Sequence, residues 1–130
     1  MEKPLVMLAE DDDDVRFALA ESLRRSGHEV IAVPDGERVR QYIDQCVFSD
    51  AFCPRVHMLI TDLRMPGLNG LQLLSYLRDL DWDLPAIVIT AFGSEEVEQR
   101  ARAFGACAIL DKPIDLDRLE AAMRDVLAQA

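Results

Sequence analysis

Leu5-Val6-Met7-Leu8-Ala9-Glu10-Asp11-Asp12-Asp13-Asp14 carries two signals in ten residues. The first five are apolar without alternation, as expected of a strand buried on both faces of a covered parallel sheet. Five acids follow at once. Val15, Leu19, Ser22, Leu23 and Ser26 then recur at helical spacing, and Gly27 ends that helix. A buried strand thus delivers carboxylates to its carboxyl end, where a helix begins.

The same grammar repeats along the chain. Val30–Val33 reads as a second strand, and Asp35 caps a helix with Val39, Tyr42, Ile43 and Cys46 on one face. A loop runs from Ser49 to Pro54, followed by a third strand, Val56–Thr61. Asp62 to Asn69 is a loop holding Pro66 and Gly67, and Gly70–Leu80 has Leu71, Leu74 and Leu77 at helical spacing. Pro85 opens the strand Ala86–Thr90. Ser94 caps a helix whose first turn holds Glu95 and Glu96, and Gly105 ends it. Cys107–Leu110 is a fifth strand, and Leu116–Leu127 a last helix with Leu116, Leu119, Met123 and Val126 inward. Five β-α units in regular alternation predict an α/β domain: a doubly wound, five-stranded parallel sheet with right-handed crossovers. The whole of 1–130 reads as one such domain, near the modal domain size.

Composition narrows the function. Half of the residues are hydrophobic, so a core needs no staples, and 24 acids against 14 bases leave a formal charge of −10. That charge argues against a nucleic-acid or anionic-membrane surface. No apolar run approaches the ~18 residues of a membrane span, and no signal peptide is visible, so a cytoplasmic protein is expected. Cys46, Cys53 and Cys107 lack any CxxC and read as buried or reduced thiols; Cys46, Cys53 and His57 are too loosely spaced for a zinc site. His28 and His57 read as structural, and Trp82, between Asp81 and Asp83, as a partly exposed packing residue.

The chemistry collects just past the strands. Glu10 and Asp11 follow the first, Asp62 the third, and Asp111, Lys112 and Pro113 the fifth, while Thr90 ends the fourth. These groups converge if the strand order is 2-1-3-4-5, the flavodoxin-like arrangement, whose ligands sit at the carboxyl ends where the order reverses. At ~5 Å and an effective dielectric near 20, each pair of like charges costs about 3 kcal/mol. Three carboxylates therefore demand raised pKa values or a cation, and an oxygen-only set favours magnesium over zinc. Such a pocket suits phosphoryl transfer onto Asp62 as nucleophile, with Lys112 pairing one phosphoryl oxygen and Thr90 hydrogen-bonding another. Asp13 and Asp14 read instead as a solvated helix start.

In order, Leu8-Ala9-Glu10-Asp11-Asp12, Ile60 through Gly70, Val88-Ile89-Thr90-Ala91 and Lys112-Pro113 resemble the receiver domain of two-component response regulators over nearly the whole chain. The resemblance implies Asp62 as phosphoacceptor, Glu10 and Asp11 as magnesium ligands completed by the Arg64 backbone carbonyl, Thr90 as switch hydroxyl, and Lys112 as phosphate-pairing cation before a cis Pro113. It implies a sensor histidine kinase as phosphodonor. It also implies an output domain or protein, or a second copy, engaged through the face of the fourth helix, fifth strand and fifth helix. Two positions depart from the pattern: Glu10 stands where Asp is frequent, and Ile109 where receivers usually carry Tyr or Phe.

Other function classes fit less well. A binding module of the same fold that is never phosphorylated has no need of the acidic pocket. An aspartate-dependent phosphatase usually carries a second acid two residues after its nucleophile, and that position is Arg64, so the chain is not expected to be an enzyme in the ordinary sense. A flavin carrier needs a phosphate-cradling loop after the first strand, where this chain has five acids.

Overall fold

The computed structural model describes residues 3–48, 55–91 and 93–129. Its elements run β1 (Leu5–Ala9), α1 (Asp13–Arg25), β2 (Glu29–Val33), α2 (Gly36–Phe48), β3 (Met58–Asp62), α3 (Gly70–Asp79), β4 (Ala86–Thr90), α4 (Glu95–Ala103), β5 (Ala106–Asp111) and α5 (Leu116–Ala128). All strand pairs are parallel, in the order β2-β1-β3-β4-β5.

The apolar strands alternate their side chains between two buried layers. Leu5, Met7 and Ala9 of β1, Leu59 of β3 and Val88 of β4 face a core completed by Val39, Ile43, Leu73, Leu74, Leu77 and Ala101 from α2, α3 and α4. Val6, Leu8, Met58, Ile60, Ile87 and Ile89 face the other way, against Leu19 and Leu23 of α1 and Leu119, Met123 and Val126 of α5. This two-sided burial explains why the central strands show no polar alternation. Edge strands β2 and β5 are only partly covered.

Helix starts follow the side chains that cap them. Asp12 accepts from Val15 N, Asp35 from Arg38 N, Ser94 from Val97 N, and Asp115 from Asp117 N. Asn69 and Gln72 form a reciprocal capping box on α3. Gly27 and Gly105, at φ 96° and 93°, stop α1 and α4 in the left-handed region.

Several boundaries differ from the sequence reading by one residue, and the third strand by two at its start. It begins at Met58 rather than Val56 and takes in Asp62. Leu5 N donates to His57 Nδ1 at 3.0 Å, while His57 N donates to Leu5 O at 2.9 Å. The imidazole replaces the backbone acceptor that would have carried the ladder further back. His57 is thus structural, as expected. Cys46 corrects an expectation: it is disulfide-bonded, whereas reduced thiols were predicted. The expected loop from Ser49 to Pro54, Cys53 included, lies outside the described residues, as does Phe92.

One side chain ties the amino ends of the sheet together. Arg78, in the last turn of α3, donates from Nε to Phe104 O (2.7 Å), from Nη1 to Trp82 O (2.6 Å), and from Nη2 to Leu84 O (3.1 Å) and Gly105 O (3.4 Å). It satisfies carbonyls of both the α3–β4 connection and the end of α4. A Cβ on Gly105 would come within 2.6 Å of the guanidinium, so glycine serves close approach there as well as backbone conformation. Arg78→Met orphans these carbonyls and is expected to cost about 2–3 kcal/mol. Urea unfolding followed by the fluorescence of Trp82, the sole tryptophan, should show a lower midpoint at unchanged slope.

Candidate functional site

The sheet order makes β1, β3, β4 and β5 consecutive, so their carboxyl ends form one ledge. The edge strand β2 contributes a carbonyl, Val33 O, which accepts from Glu10 N at 3.1 Å and extends the β1 ladder by one residue. That extension seats Glu10 deep in the fold, 1 % exposed; Asp62 and Thr90 are also buried, and Asp11 is exposed beside them.

Lys112 joins the carboxylates. Its backbone N–H donates to Thr90 O at 2.9 Å, continuing the β4–β5 pairing, and the Lys112–Pro113 bond is cis, as the resemblance implied. Its Nζ lies 2.6 Å from Glu10 Oε1 and 2.7 Å from Asp62 Oδ2. The other Asp62 oxygen, Oδ1, accepts from Arg64 N at 3.2 Å. Asp62 itself is fixed by its backbone: Leu63 N donates to Ile89 O at 2.9 Å, and α3 begins pressed against it. A Cβ on Gly70 would stand 2.7 Å from Asp62 O.

Glu10, Asp11 and Asp62 can each present an oxygen such that all three lie within 4.8 Å of one another. One ammonium faces three carboxylates, and the imbalance shows in Glu10. Burial, then a hydrogen bond with Asp62, raises its pKa from 4.5 to about 7, although Lys112 pulls the other way. Burial also works against the Lys112 ammonium, but its bonds to Asp62 and Glu10 prevail and hold its pKa above the usual value. Glu10 Oε1 is buried, with the Lys112 ammonium 2.6 Å away as its counter-charge. Three carboxylates that share one ammonium, with oxygen as the sole donor type, fit a hard divalent cation such as magnesium.

The sequence-derived residues Glu10, Asp11, Asp62, Thr90 and Lys112 thus meet at one edge. One contribution was not anticipated. The Arg64 backbone N–H engages Asp62, in addition to the role implied for its carbonyl. Gly93 stands against Thr90, where an added Cβ would lie 2.9 Å from Thr90 Cγ2. From the sequence, Phe92-Gly93-Ser94 reads as a mobile link after the fourth strand; the closeness of Gly93 to Thr90 is what the structure adds.

A doubly wound sheet with a lysine-bridged acidic triad at its reversal point is the architecture of a phosphoacceptor domain. Residues 6–124 match the family model described as the response regulator receiver domain, and the chain belongs to that family. It is 34 % identical over 110 residues to the response regulator protein FleR of Pseudomonas aeruginosa, covering 85 % of this chain and 22 % of FleR. It is 34 % identical over 125 residues to the transcriptional regulatory protein FixJ of Azorhizobium caulinodans, covering 96 % of this chain and 56 % of FixJ. The chain therefore spans between about a fifth and just over half of these relatives. Among solved structures it resembles FixJ-N (28 % identity, TM-score 0.84, covering 100 % of this chain and 98 % of that one). A response regulator receiver protein from Pseudomonas putida is similar (27 %, 0.84, 96 % and 98 %). The chain is thus a receiver domain homologous to those of two-component response regulators.

The raised Glu10 pKa has a defined pH consequence. The folded protein holds that proton more tightly than the unfolded chain, so the contribution of Glu10 to metal-free stability is complete below pH ~4.5 and lost as pH rises through about 7. A cation must displace the same proton. Magnesium affinity measured by calorimetry should rise by up to about tenfold per pH unit below 7 and then level off. In Glu10→Gln it should be weaker and lack that rise.

Proposed function

We propose that this chain acts as one receiver unit in the cytoplasm, taking a phosphoryl group on Asp62 from a phosphohistidine of a sensor histidine kinase. The observation that carries this reading is the Lys112 ammonium seated between Glu10 and Asp62, with Asp62 Oδ1 held separately by Arg64 N–H. One carboxylate is thereby oriented through both oxygens, beside a cation able to follow charge as it moves.

In the transfer, an Asp62 oxygen forms the bond to phosphorus as the phosphorus–nitrogen bond of the donor breaks. The bond pair becomes the ring lone pair, and the donor, whose other ring nitrogen carries a proton, leaves as neutral imidazole. Lys112 releases Asp62 Oδ2 and pairs with a phosphoryl oxygen, while Arg64 N–H and the Thr90 hydroxyl donate to others. Glu10, Asp11, the remaining Asp62 oxygen and the Arg64 carbonyl would hold magnesium. When bound, it supplies positive charge to offset repulsion between carboxylates and phosphoryl group. The only reaction cycle assigned to the chain is gaining and slowly hydrolysing this group.

The output follows from Thr90. Its hydroxyl is drawn toward the phosphoryl group, and its methyl, packed on Gly93, shifts the β4–α4 connection. This biases the α4-β5-α5 face toward an output domain, a separate protein or a second copy. Relatives named as transcriptional regulators support an output module elsewhere in the polypeptide or complex.

Incubation with acetyl phosphate and magnesium should add the mass of one phosphoryl group, and neither Asp62→Asn nor omission of magnesium should allow it. Absence of the adduct in a protein that folds and receives a competent kinase would leave an unphosphorylated binding module. Thr90→Ala should still be phosphorylated but show little phosphorylation-dependent change in amide exchange across α4. A full wild-type response in that variant would remove Thr90 from the pathway.

A further inference from the structure

Arg16 lies outside every role assigned above, yet it closes the loop that carries two of the three acids. It is the fourth residue of α1, and its side chain turns back over the helix start. Nη1 donates to the Glu10 carbonyl at 2.9 Å, and Nη2 to Asp13 Oδ1 at 2.5 Å. The two contacts bracket Asp11 and Asp12. Asp12 is itself held by capping Val15 N at 3.0 Å, and Glu10 by its ladder bond to Val33 O at 3.1 Å. Asp11 is an exposed residue in a bend between these fixed points, with neither helix nor strand to place it.

The two halves of the fork are not equivalent. Asp13 is 86 % exposed, and such an ion pair contributes little. The bond to Glu10 O is partly buried and spans six residues, from the first turn of α1 to the end of β1. Arg16 is only 21 % exposed.

We propose that Arg16 is a positioning residue of the metal pocket: its guanidinium fastens the Glu10 carbonyl to α1 and so sets where the Glu10 and Asp11 carboxylates stand. This rests on the magnesium reading above. Geometry and charge make opposite demands here, which renders the role testable. As a bare positive charge beside a cation site, Arg16 would oppose magnesium, and its removal would tighten binding. As a clamp it favours magnesium, and its removal weakens binding. Lysine keeps the charge but cannot reproduce a planar fork that spans both acceptors.

The experiment is a magnesium titration by calorimetry near pH 8, alongside the backbone amide shifts of Glu10, Asp11 and Asp12, on wild type, Arg16→Gln, Arg16→Lys and Asp13→Asn. Supports of ligand-bearing groups typically tune metal affinity by a factor of ten or more. Arg16→Gln should therefore weaken binding about tenfold and move the Asp11 and Asp12 amides before any metal is added. Arg16→Lys should also weaken it, by less, and Asp13→Asn should leave it within about twofold. Circular dichroism and the thermal midpoint of each variant establish that it is folded, and Arg16→Lys keeps the test open should Arg16→Gln unfold. Unchanged or tighter binding in Arg16→Gln overturns the clamp while leaving the magnesium reading standing. No binding by the wild type removes both.

Discussion

A single ammonium between two buried carboxylates is the constraint on which this molecule turns. Without Lys112, Glu10 and Asp62 would be neighbouring charges of one sign in a dry pocket, and one would have to take up a proton or leave. With Lys112 they stay together, but the balance is incomplete: Asp11 adds a third negative group, and the Glu10 pKa sits near 7. The pocket is therefore underneutralised by design of the sheet. It has a deficit of positive charge of the kind a divalent cation offsets, and one ammonium that, in the function proposed, passes to the phosphoryl group.

The fold supplies that arrangement at low conformational cost. Each group stands at or within one or two residues of the end of a strand whose two faces are packed against helices, so none depends on a long loop for its position. The parallel register carries the rest. Thr90 pairs with Asp111, and Lys112 N donates to Thr90 O, so Thr90 and Lys112, the hydroxyl and the cation of the proposed switch, are joined through the backbone. At the opposite end of the sheet, Arg78 fastens the end of α4 to the α3–β4 connection. The carboxyl-end face is left as the side on which loops can respond.

Much of this was legible in the sequence because its causes are local. Unbroken apolar runs such as Leu5–Ala9 and Ala86–Thr90 state that both faces are buried, and capping residues such as Ser94 and Asp115 sit beside the helices they start. The converging acids were readable because a parallel doubly wound sheet has few ways to be ordered. What escaped was long-range and made by side chains acting on backbone. The His57 imidazole shortens β3 by occupying Leu5 N, Arg78 gathers carbonyls from two connections, and Arg16 reaches back to Glu10. Arginine and histidine donors or acceptors of this kind leave no periodicity. Cys46 escaped for a related reason, since spacing alone does not determine which thiols meet.

The Ile109 position shows how far the switch depends on an aromatic ring. Ile109 pairs with Val88 and is half-buried, a β-branched side chain that packs on a pleated surface but has no ring to rotate inward. Position 109 therefore offers the proposed switch no swinging aromatic. A shorter route exists in the contact between Thr90 Cγ2 and Gly93, so close that no Cβ fits there without displacement. In the proposed switch, rotation of Thr90 toward the phosphoryl group would change that contact directly, and α4 begins at Glu95, two residues beyond Gly93. Coupling by this route would be steric and would run from β4 into α4, without first passing through β5. A glycine at this position is what lets the connection lie on the threonine methyl, a contact invisible in a sequence that marks the loop only as a mobile link.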